Sequence, residues 1–268
     1  MLNSNLQFAH KNQEIERLRA VAALMVALYH FLRPIDLQLP QAFMHSWAGV
    51  ELFFVISGYV ITLSLSRLLP DSAPGTSLAD RLRAARDGLK VFYVRRALRI
   101  LPMAYFVALV FLLIVVVLHL DTPVVVKGRV YRVNVATIST EIITILTFTY
   151  NYVITRHPFQ ILVPYWSLSV EEHFYLFLPQ CYVLLGNDKN RLRFALCGML
   201  FIGFFARPFE PFPNWSEEYH RFASHRLFDY LFAGVALALL RKAGIGSRLL
   251  HRRGRGFGLA MNLLALAL

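Results

Sequence analysis

Long apolar stretches recur along this chain, and they constrain its fold more than any other feature. A helix needs about 20 predominantly apolar residues to cross the hydrocarbon core of a bilayer. Stretches close to that length are 16–33, 48–66, 100–120, 136–155, 166–186, 192–206 and 225–240, and another begins near 257. The pattern predicts an all-α fold, a polytopic transmembrane helical bundle, in which residues 1–268 form a single membrane-embedded domain.

The composition agrees with a membrane protein. Hydrophobic residues make up 57% of the chain and charged residues 16%, which leaves too little polar surface to cover a soluble globule. The formal net charge of +12 is also compatible with nucleic-acid binding, but the arginines lie mainly in loops between apolar stretches. Cytoplasmic loops of membrane proteins are rich in Lys and Arg whether or not the protein binds nucleic acid. We therefore expect the lipid bilayer, and no nucleic acid, as a partner.

The distribution of basic residues indicates which loops face the cytoplasm. The connection 34–47 carries no Lys or Arg, whereas the loop 67–99 carries Arg67, Arg81, Arg83, Arg86, Lys90, Arg95, Arg96 and Arg99. Because basic residues favour the cytoplasmic side, the N-terminus and the basic loop 67–99 are predicted to be cytoplasmic. Strict alternation would then place the basic residues of 241–255 outside. The Thr-rich stretch 136–155 is the weakest span, and we expect it to be interfacial or re-entrant.

A short helix is expected inside the basic loop. Apolar residues recur there at helical spacing beside the basic ones, at Leu78, Leu82, Ala85 and Leu89. Ser77 and Asp80 are placed like a capping box at its start. This pattern predicts a helix that lies on the cytoplasmic membrane surface, with its basic face toward anionic head groups.

Four ionisable side chains stand in apolar or aromatic surroundings: Arg19, His30, Glu51 and Glu171. Such a residue at membrane depth costs about 2.5–3.5 kcal/mol on insertion scales, so each is a candidate functional residue. The spacing of Arg19 and His30 places both on one face of a helix, about 16 Å apart. Alternatively, Arg19 snorkels to the interface and His30 caps a neighbouring carbonyl group.

The glutamates also have simpler interpretations. Glu51 lies near the outer end of its stretch, where it either orients a reacting group or is a surface carboxylate at the interface. Ser169 and Glu172 have the spacing of a capping box at a helix that starts after Pro164. That assigns Glu172 a structural role and leaves Glu171 as the unexplained acid. No Cys/His cluster has metal-ligand spacing, so we expect no metal site.

Several of these residues fall in motifs that resemble the acyltransferase-3 family of membrane acyltransferases, which includes O-acetyltransferases of bacterial surface polysaccharides. Arg19 and His30 resemble the family's pattern of an arginine, ten residues and a histidine. The other matching segments are the aromatic motif at 49–58, the basic motif at 95–102, the Trp-Ser-Leu-Ser-x-Glu motif at 166–175 and an arginine-to-glycine stretch at 226–234.

The resemblance also implies about ten spans, and this chain stops earlier. Its last apolar stretch, residues 259–268, has about half the length that a span requires. We therefore expect a bundle that is truncated at its C-terminal end relative to the family.

The resemblance implies transfer of an acyl group, most often acetyl, from cytoplasmic acyl-CoA to a hydroxyl group of a carbohydrate or glycolipid acceptor. Acyl-CoA is the co-substrate, and no permanently bound cofactor is expected. His30 would act as the base, because a neutral imidazole accepts a proton near neutral pH. Glu51 or Glu171 would orient the imidazole or the acceptor. Direct transfer and a covalent acyl-histidine both stay open.

The arginines implied for acyl-CoA binding are Arg19, Arg95, Arg96 and Arg99. Their guanidinium groups offer forks of donors to CoA phosphates, although the last three are also an ordinary positive-inside cluster. The expected location is the bacterial inner membrane, with a cytoplasmic N-terminus. The alternatives are a flippase of glycolipid intermediates, in which His30 and the acids form a proton relay, and an inactive truncated member of the fold.

Overall fold

The computed structural model describes residues 13–32, 48–118, 122–126, 129–153, 162, 164–206 and 222–245. Its helices are α1 (Gln13–Leu32), α2 (Ala48–Leu68), α3 (Leu78–Val117), α4 (Val135–Leu146), α5 (Tyr150–Val153), α6 (Tyr165–Leu185), α7 (Asp188–Phe201) and α8 (Ser224–Lys242). A π-helical segment, Ile202–Ala206, continues α7, and the strands β1 (Thr122–Val126) and β2 (Arg129–Val133) lie between α3 and α4. The predicted helical architecture is confirmed for these residues.

Two of the described helices, α2 and α3, are long and apolar enough to cross a membrane. α3 has 40 residues. At 1.5 Å per residue it is about 60 Å long, about twice the thickness of a hydrocarbon core. The prediction of a separate helix on the membrane surface is wrong, because the basic segment continues into the apolar one without a break. Ser77 caps α3 as predicted, its Oγ accepting a hydrogen bond from the Asp80 amide at 3.2 Å.

The Thr-rich stretch 136–155 does not form one long helix. α4 has only 12 residues, and the chain turns before the four-residue α5. A helix of 12 residues is about 18 Å long, too short for an ordinary span. This agrees with the expectation that the stretch does not cross the bilayer as a simple helix.

The helical structure also contains one small element that was not predicted, because β1 and β2 pair as an antiparallel hairpin. Thr122 lies opposite Val133, and Val126 lies opposite Arg129. Both strands are rich in valine, whose branched side chain favours extended backbone. Each strand has five residues, whereas an apolar stretch that spans a membrane as a helix has about 20.

The backbones of α2 and α8 touch where they cross. A Cβ atom added at Gly58 would overlap the carbonyl oxygen of Leu231, and one added at Gly234 would overlap the carbonyl oxygen of Val55. Small residues of this kind let two helices approach closely in apolar surroundings. The crossing therefore depends on both glycines.

One buried core surrounds this crossing. Phe54 of α2, Phe92 of α3, Phe174 of α6 and Leu231 of α8 are almost completely buried in it. α1 lies against α2, so close that a Cβ atom at Gly49 would be 2.6 Å from a carbonyl oxygen of α1. The packing brings α1, α2, α3 and α6 together.

A cluster of ions ties the connection between α2 and α3 to the other helices. The buried guanidinium of Arg191 pairs with Asp71 at 2.6 Å and Asp188 at 2.9 Å, and it donates to the carbonyl of Tyr182. Burial by itself would raise the pKa of Asp188, but hydrogen bonds from Lys242 and Arg191 outweigh it and lower that pKa below its usual value. The ionised carboxylate therefore stabilises the fold until the pH falls through this lowered pKa.

Gly234→Ala should destabilise the protein, because the added methyl group meets the backbone of α2. Overpacking of this kind costs about 1–3 kcal/mol or more. We expect a lower melting temperature for the detergent-purified variant. Gly203→Ala is the matched control, since a Cβ atom there meets nothing within 4 Å. Equal melting temperatures for the two variants would contradict the importance of the crossing.

Candidate active site

Glu171 points from α6 toward α2. One of its carboxylate oxygens accepts a hydrogen bond from the Ser57 hydroxyl at 2.8 Å, and the other accepts one from the Tyr175 hydroxyl at 2.6 Å. Tyr175 lies one turn after Glu171, on the same face of α6. Ser57 immediately precedes Gly58, so the crossing of α2 and α8 also places this hydroxyl. Packing and hydrogen bonding together fix the position of the carboxylate.

Two positively charged guanidinium groups attract this carboxylate. Arg96 of α3 and Arg19 of α1 both attract Glu171 electrostatically. The guanidinium carbon of Arg96 lies 4.6 Å from the centre of the Tyr175 ring, a cation–π contact. Arg19 also pairs with Glu16 at 3.3 Å. Four helices therefore contribute to one cluster, the Glu171 cluster: Arg19, Ser57, Arg96, Glu171 and Tyr175.

The structure thus brings together two residues predicted for acyl-CoA binding, Arg19 and Arg96, and one predicted catalytic acid, Glu171. Ser57 and Tyr175 were not among the predicted site residues. The spacing of four residues between Glu171 and Tyr175 was a signal that points to the tyrosine. Ser57 and Glu171 are 114 residues apart, and only tertiary packing joins them.

The capping-box interpretation of Ser169 and Glu172 is wrong. α6 begins at Tyr165, so both residues lie inside the helix, and the Ser169 hydroxyl donates to the Tyr165 carbonyl at 3.0 Å. One carboxylate oxygen of Glu172 is buried, with no hydrogen-bond partner among the described residues. Its charge interacts with those of Glu171 and Arg96. The site therefore contains two adjacent acids.

His30 lies on α1, three turns after Arg19, as its spacing predicts. Its side chain is exposed, and its ring meets the ring of Tyr29 edge-on at 5.5 Å. Within the part of the chain that the structure describes, His30 hydrogen-bonds neither to Glu51 nor to Glu171. Glu51 is half-buried in the first turn of α2. In the described part of the chain, the groups that hydrogen-bond to Glu171 or attract it are Ser57, Tyr175, Arg96 and Arg19, and neither of the two predicted catalytic residues is among them.

The arginines of the basic motif face two directions. Arg95 and Arg99 are four residues apart and both are exposed, whereas Arg96 is half-buried against α6. Residues four apart share a helix face, so Arg95 and Arg99 form one exposed pair. Arg96 faces the bundle and the Glu171 cluster instead.

The polar groups of the site are carboxylates, hydroxyls and guanidinium groups. Among the described residues, no group of three or more His, Cys, Asp or Glu side chains is arranged to hold a metal ion. Cys181 is buried and Cys197 is exposed, and both are free thiols.

Similar proteins carry names from one class of enzyme. The chain is 29% identical over 237 residues to a Staphylococcus aureus (strain COL) protein named "Putative O-acetyltransferase". It is 29% identical over 259 residues to "Putative peptidoglycan O-acetyltransferase YrhL" of Bacillus subtilis, and 28% identical over 239 residues to "Peptidoglycan O-acetyltransferase OatA" of Listeria monocytogenes. These alignments cover 84%, 86% and 84% of this chain, but only 34%, 34% and 33% of the relatives. The chain therefore spans about a third of the length of the curated relatives it matches.

No solved structure matches the chain. The family model of the acyltransferase-3 proteins, described as an acyltransferase domain, matches residues 12–268. This match includes every motif that carries the resemblance, from Arg19 to Gly234. The chain belongs to the acyltransferase-3 family, as its motifs predict.

Proposed function

We propose that this acyltransferase moves an acetyl group from acyl-CoA to a hydroxyl group of a carbohydrate in the cell envelope, as a multi-pass protein of the bacterial inner membrane. Family membership supports acyl transfer, and the names of the relatives support O-acetylation, in two cases of peptidoglycan. The Glu171 cluster is the observation that carries the proposal, because it brings the guanidinium groups of Arg19 and Arg96 to one acid in an apolar bundle.

Those guanidinium groups suit an acyl donor. Each offers five N–H donors in a plane. Glu171 acts as a positioning residue, because its charge attracts both Arg96 and Arg19. The N–H donors of these arginines bind polar oxygens of the donor arm, while the thioester extends beyond them toward His30.

The exposed pair Arg95 and Arg99 suits the other end of the donor. Guanidinium groups bind phosphate oxygens in a fork, and the phosphates of CoA carry several such oxygens. Arg96 lies between Arg95 and Arg99 in sequence but faces the bundle. If the phosphates of CoA bind to the exposed pair, the thioester end of the donor can extend into the bundle past the Glu171 cluster.

His30 acts as the general base in this proposal. Its exposed imidazole takes the proton from the acceptor hydroxyl as the oxygen attacks the thioester carbonyl. The new C–O bond forms, the C–S bond breaks, and the departing CoA sulfur takes up the proton. Glu51, at the start of α2, orients the acceptor or the imidazole.

His30→Ala should lower acetyl transfer about 10²–10⁴-fold, the usual contribution of a general base. Membranes that contain the protein would be incubated with radiolabelled acetyl-CoA and a panel of cell-envelope glycans, and label in the glycans would be counted. Phe31→Ala, at the exposed neighbouring residue, is the control and should stay near wild type. Acetyl transfer that survives in His30→Ala would show that His30 is not the general base. Movement of lipid-linked glycan across the bilayer without any labelling would favour a flippase instead.

Glu171→Gln should lower transfer about tenfold to a hundredfold. The amide keeps the shape of the side chain but removes the charge that attracts Arg19 and Arg96. It also weakens the hydrogen bonds from Ser57 and Tyr175, since a hydrogen bond to a charged group contributes about 1.5–3 kcal/mol. Ser57→Ala removes one neutral donor and should have the smaller effect. A Glu171→Gln protein that is inserted normally and as active as wild type would contradict the role of the cluster.

The double variant Arg95→Ala/Arg99→Ala should raise the KM for acetyl-CoA about tenfold or more, because charge-assisted hydrogen bonds to phosphate are lost. Its kcat should change little, since neither arginine faces the Glu171 cluster. The matched control is Arg86→Ala/Lys90→Ala, which removes the same charge from exposed positions of the same helix. Equal KM values for the two double variants would overturn the donor site.

A further inference from the structure

A second polar site lies on the opposite side of α6. Successive residues of a helix are turned by about 100°, so Glu171 and His173 point in nearly opposite directions. The Nδ1 atom of His173 lies 2.7 Å from the hydroxyl oxygen of Ser224, the first residue of α8. Ser224 is only 3% exposed. The two residues are 51 positions apart, and no role in the proposed transfer uses either of them.

The neighbouring contacts are compatible with Ser224 as the donor. The side-chain amide of Asn151 donates to the Ser224 hydroxyl oxygen at 3.0 Å, so the hydroxyl hydrogen points elsewhere. A neutral imidazole has one N–H group. In the tautomer that carries this hydrogen on Nε2, the Nδ1 atom is an acceptor, and Ser224 donates to it. A serine that donates to an oriented histidine is the arrangement that activates a nucleophile.

The backbone near this pair takes an unusual conformation at Phe148. Phe148 has a φ of 54°, in the left-handed region that residues with a side chain rarely adopt. It lies in the turn between α4 and α5, directly ahead of the segment that supplies Asn151. Such conformations cluster at functional sites, where the surrounding structure holds them.

Ser224 also lies where negative charge is favoured. It begins the 19-residue helix α8, and the positive end of a helix dipole stabilises an anion at its N-terminus. A carbonyl oxygen that gains negative charge as Ser224 attacks would develop its charge close to this end.

An apolar cavity of about 660 Å³ opens beside the two residues. His173 and Ser224 belong to its lining, and most of the rest is aromatic, from Phe177, Phe194, Phe228 and Phe232. Binding cavities for small molecules have volumes of about 300–1,000 Å³ and a few polar groups placed in an apolar wall. An aliphatic acyl chain, longer than acetyl, fits this chemistry.

We propose that Ser224 and His173 form a second catalytic site, which accepts an aliphatic acyl group from an ester or a thioester. The Ser224 oxygen attacks the acyl carbonyl, and His173 takes the hydroxyl proton. The acyl–oxygen or acyl–sulfur bond of the donor then breaks, and the proton passes from His173 to the departing alcohol or thiol. Water or a second hydroxyl group releases the acyl group by the same steps in reverse.

A fluorophosphonate probe tests this nucleophile directly. An activated serine displaces fluoride from phosphorus, and mass spectrometry of the digested protein locates the adduct. We expect the adduct on Ser224 in the detergent-purified protein, none in Ser224→Ala, and at least tenfold slower labelling in His173→Gln. Ser169→Ala is the matched control, because Ser169 is a buried serine of α6 that donates to a backbone carbonyl and not to a histidine.

The chain length of the substrate tests the cavity. Wild-type protein should hydrolyse p-nitrophenyl octanoate with a kcat/KM at least tenfold above that for p-nitrophenyl acetate. Ser224→Cys, whose side chain is close in size, should retain the acyl group as a thioester that neutral hydroxylamine releases. This variant keeps the proposal testable if Ser224→Ala does not fold.

Absence of an adduct on Ser224 in protein that melts cooperatively would overturn the proposal. The proposal would also be overturned if His173→Gln were labelled as fast as wild type but melted at a lower temperature. The contact between His173 and Ser224 would then stabilise the fold without activating the serine. The probe requires neither acetyl-CoA nor a glycan. Labelling of Ser224 in protein that fails to acetylate any glycan would therefore sustain this site while contradicting the proposed function. Acetylation of a glycan by protein in which Ser224 is not labelled would contradict this site while sustaining the proposed function.

Discussion

The crossing of α2 and α8 fixes the arrangement on which the remaining contacts depend. Because Gly58 and Gly234 have no Cβ atom, the two backbones touch, and Ser57 faces α6 next to this contact. α1 reaches the same region because Gly49 lets it lie on α2. Larger side chains would hold the helix axes farther apart. The glycines of the sequence motifs therefore act through packing, and the polar residues beside them are aligned as a result.

The Glu171 cluster shows how this bundle accommodates an acid in apolar surroundings. Two hydroxyl groups donate to Glu171, and Arg96 and Arg19 attract it electrostatically. Opposite charges in a buried place are weak evidence for stability, because the loss of hydration can exceed the attraction between them. Under the proposed function, the guanidinium groups have a separate role, which is to bind the acyl donor. The Arg191 ions differ, since they lie at the end of the helices and tie chain connections together.

The predicted features that the structure overturns share one cause, because each rests on a short sequence pattern whose meaning depends on residues farther along the chain. Ser169 and Glu172 have capping-box spacing, but α6 already begins at Tyr165. The basic segment after Ser77 has the pattern of a surface helix, but it continues into an apolar helix of 40 residues in all. Spacing alone cannot distinguish a helix start from a helix interior when both carry the same residue types. The valine-rich hairpin β1–β2 has strands of only five residues, which are far shorter than an apolar stretch that spans a membrane.

The sequence by itself determined the helices and the family, because helix length, apolar content and motif spacing are properties of neighbouring residues. It also placed Arg19 and His30 on one helix, which the structure confirms as α1. Only the tertiary structure decided that Arg96 faces the bundle while Arg95 and Arg99 do not, and that Glu171 meets Ser57. The same holds for His173 and Ser224. These contacts join residues 114 and 51 positions apart, and they form only where packed helices bring distant segments within hydrogen-bond distance.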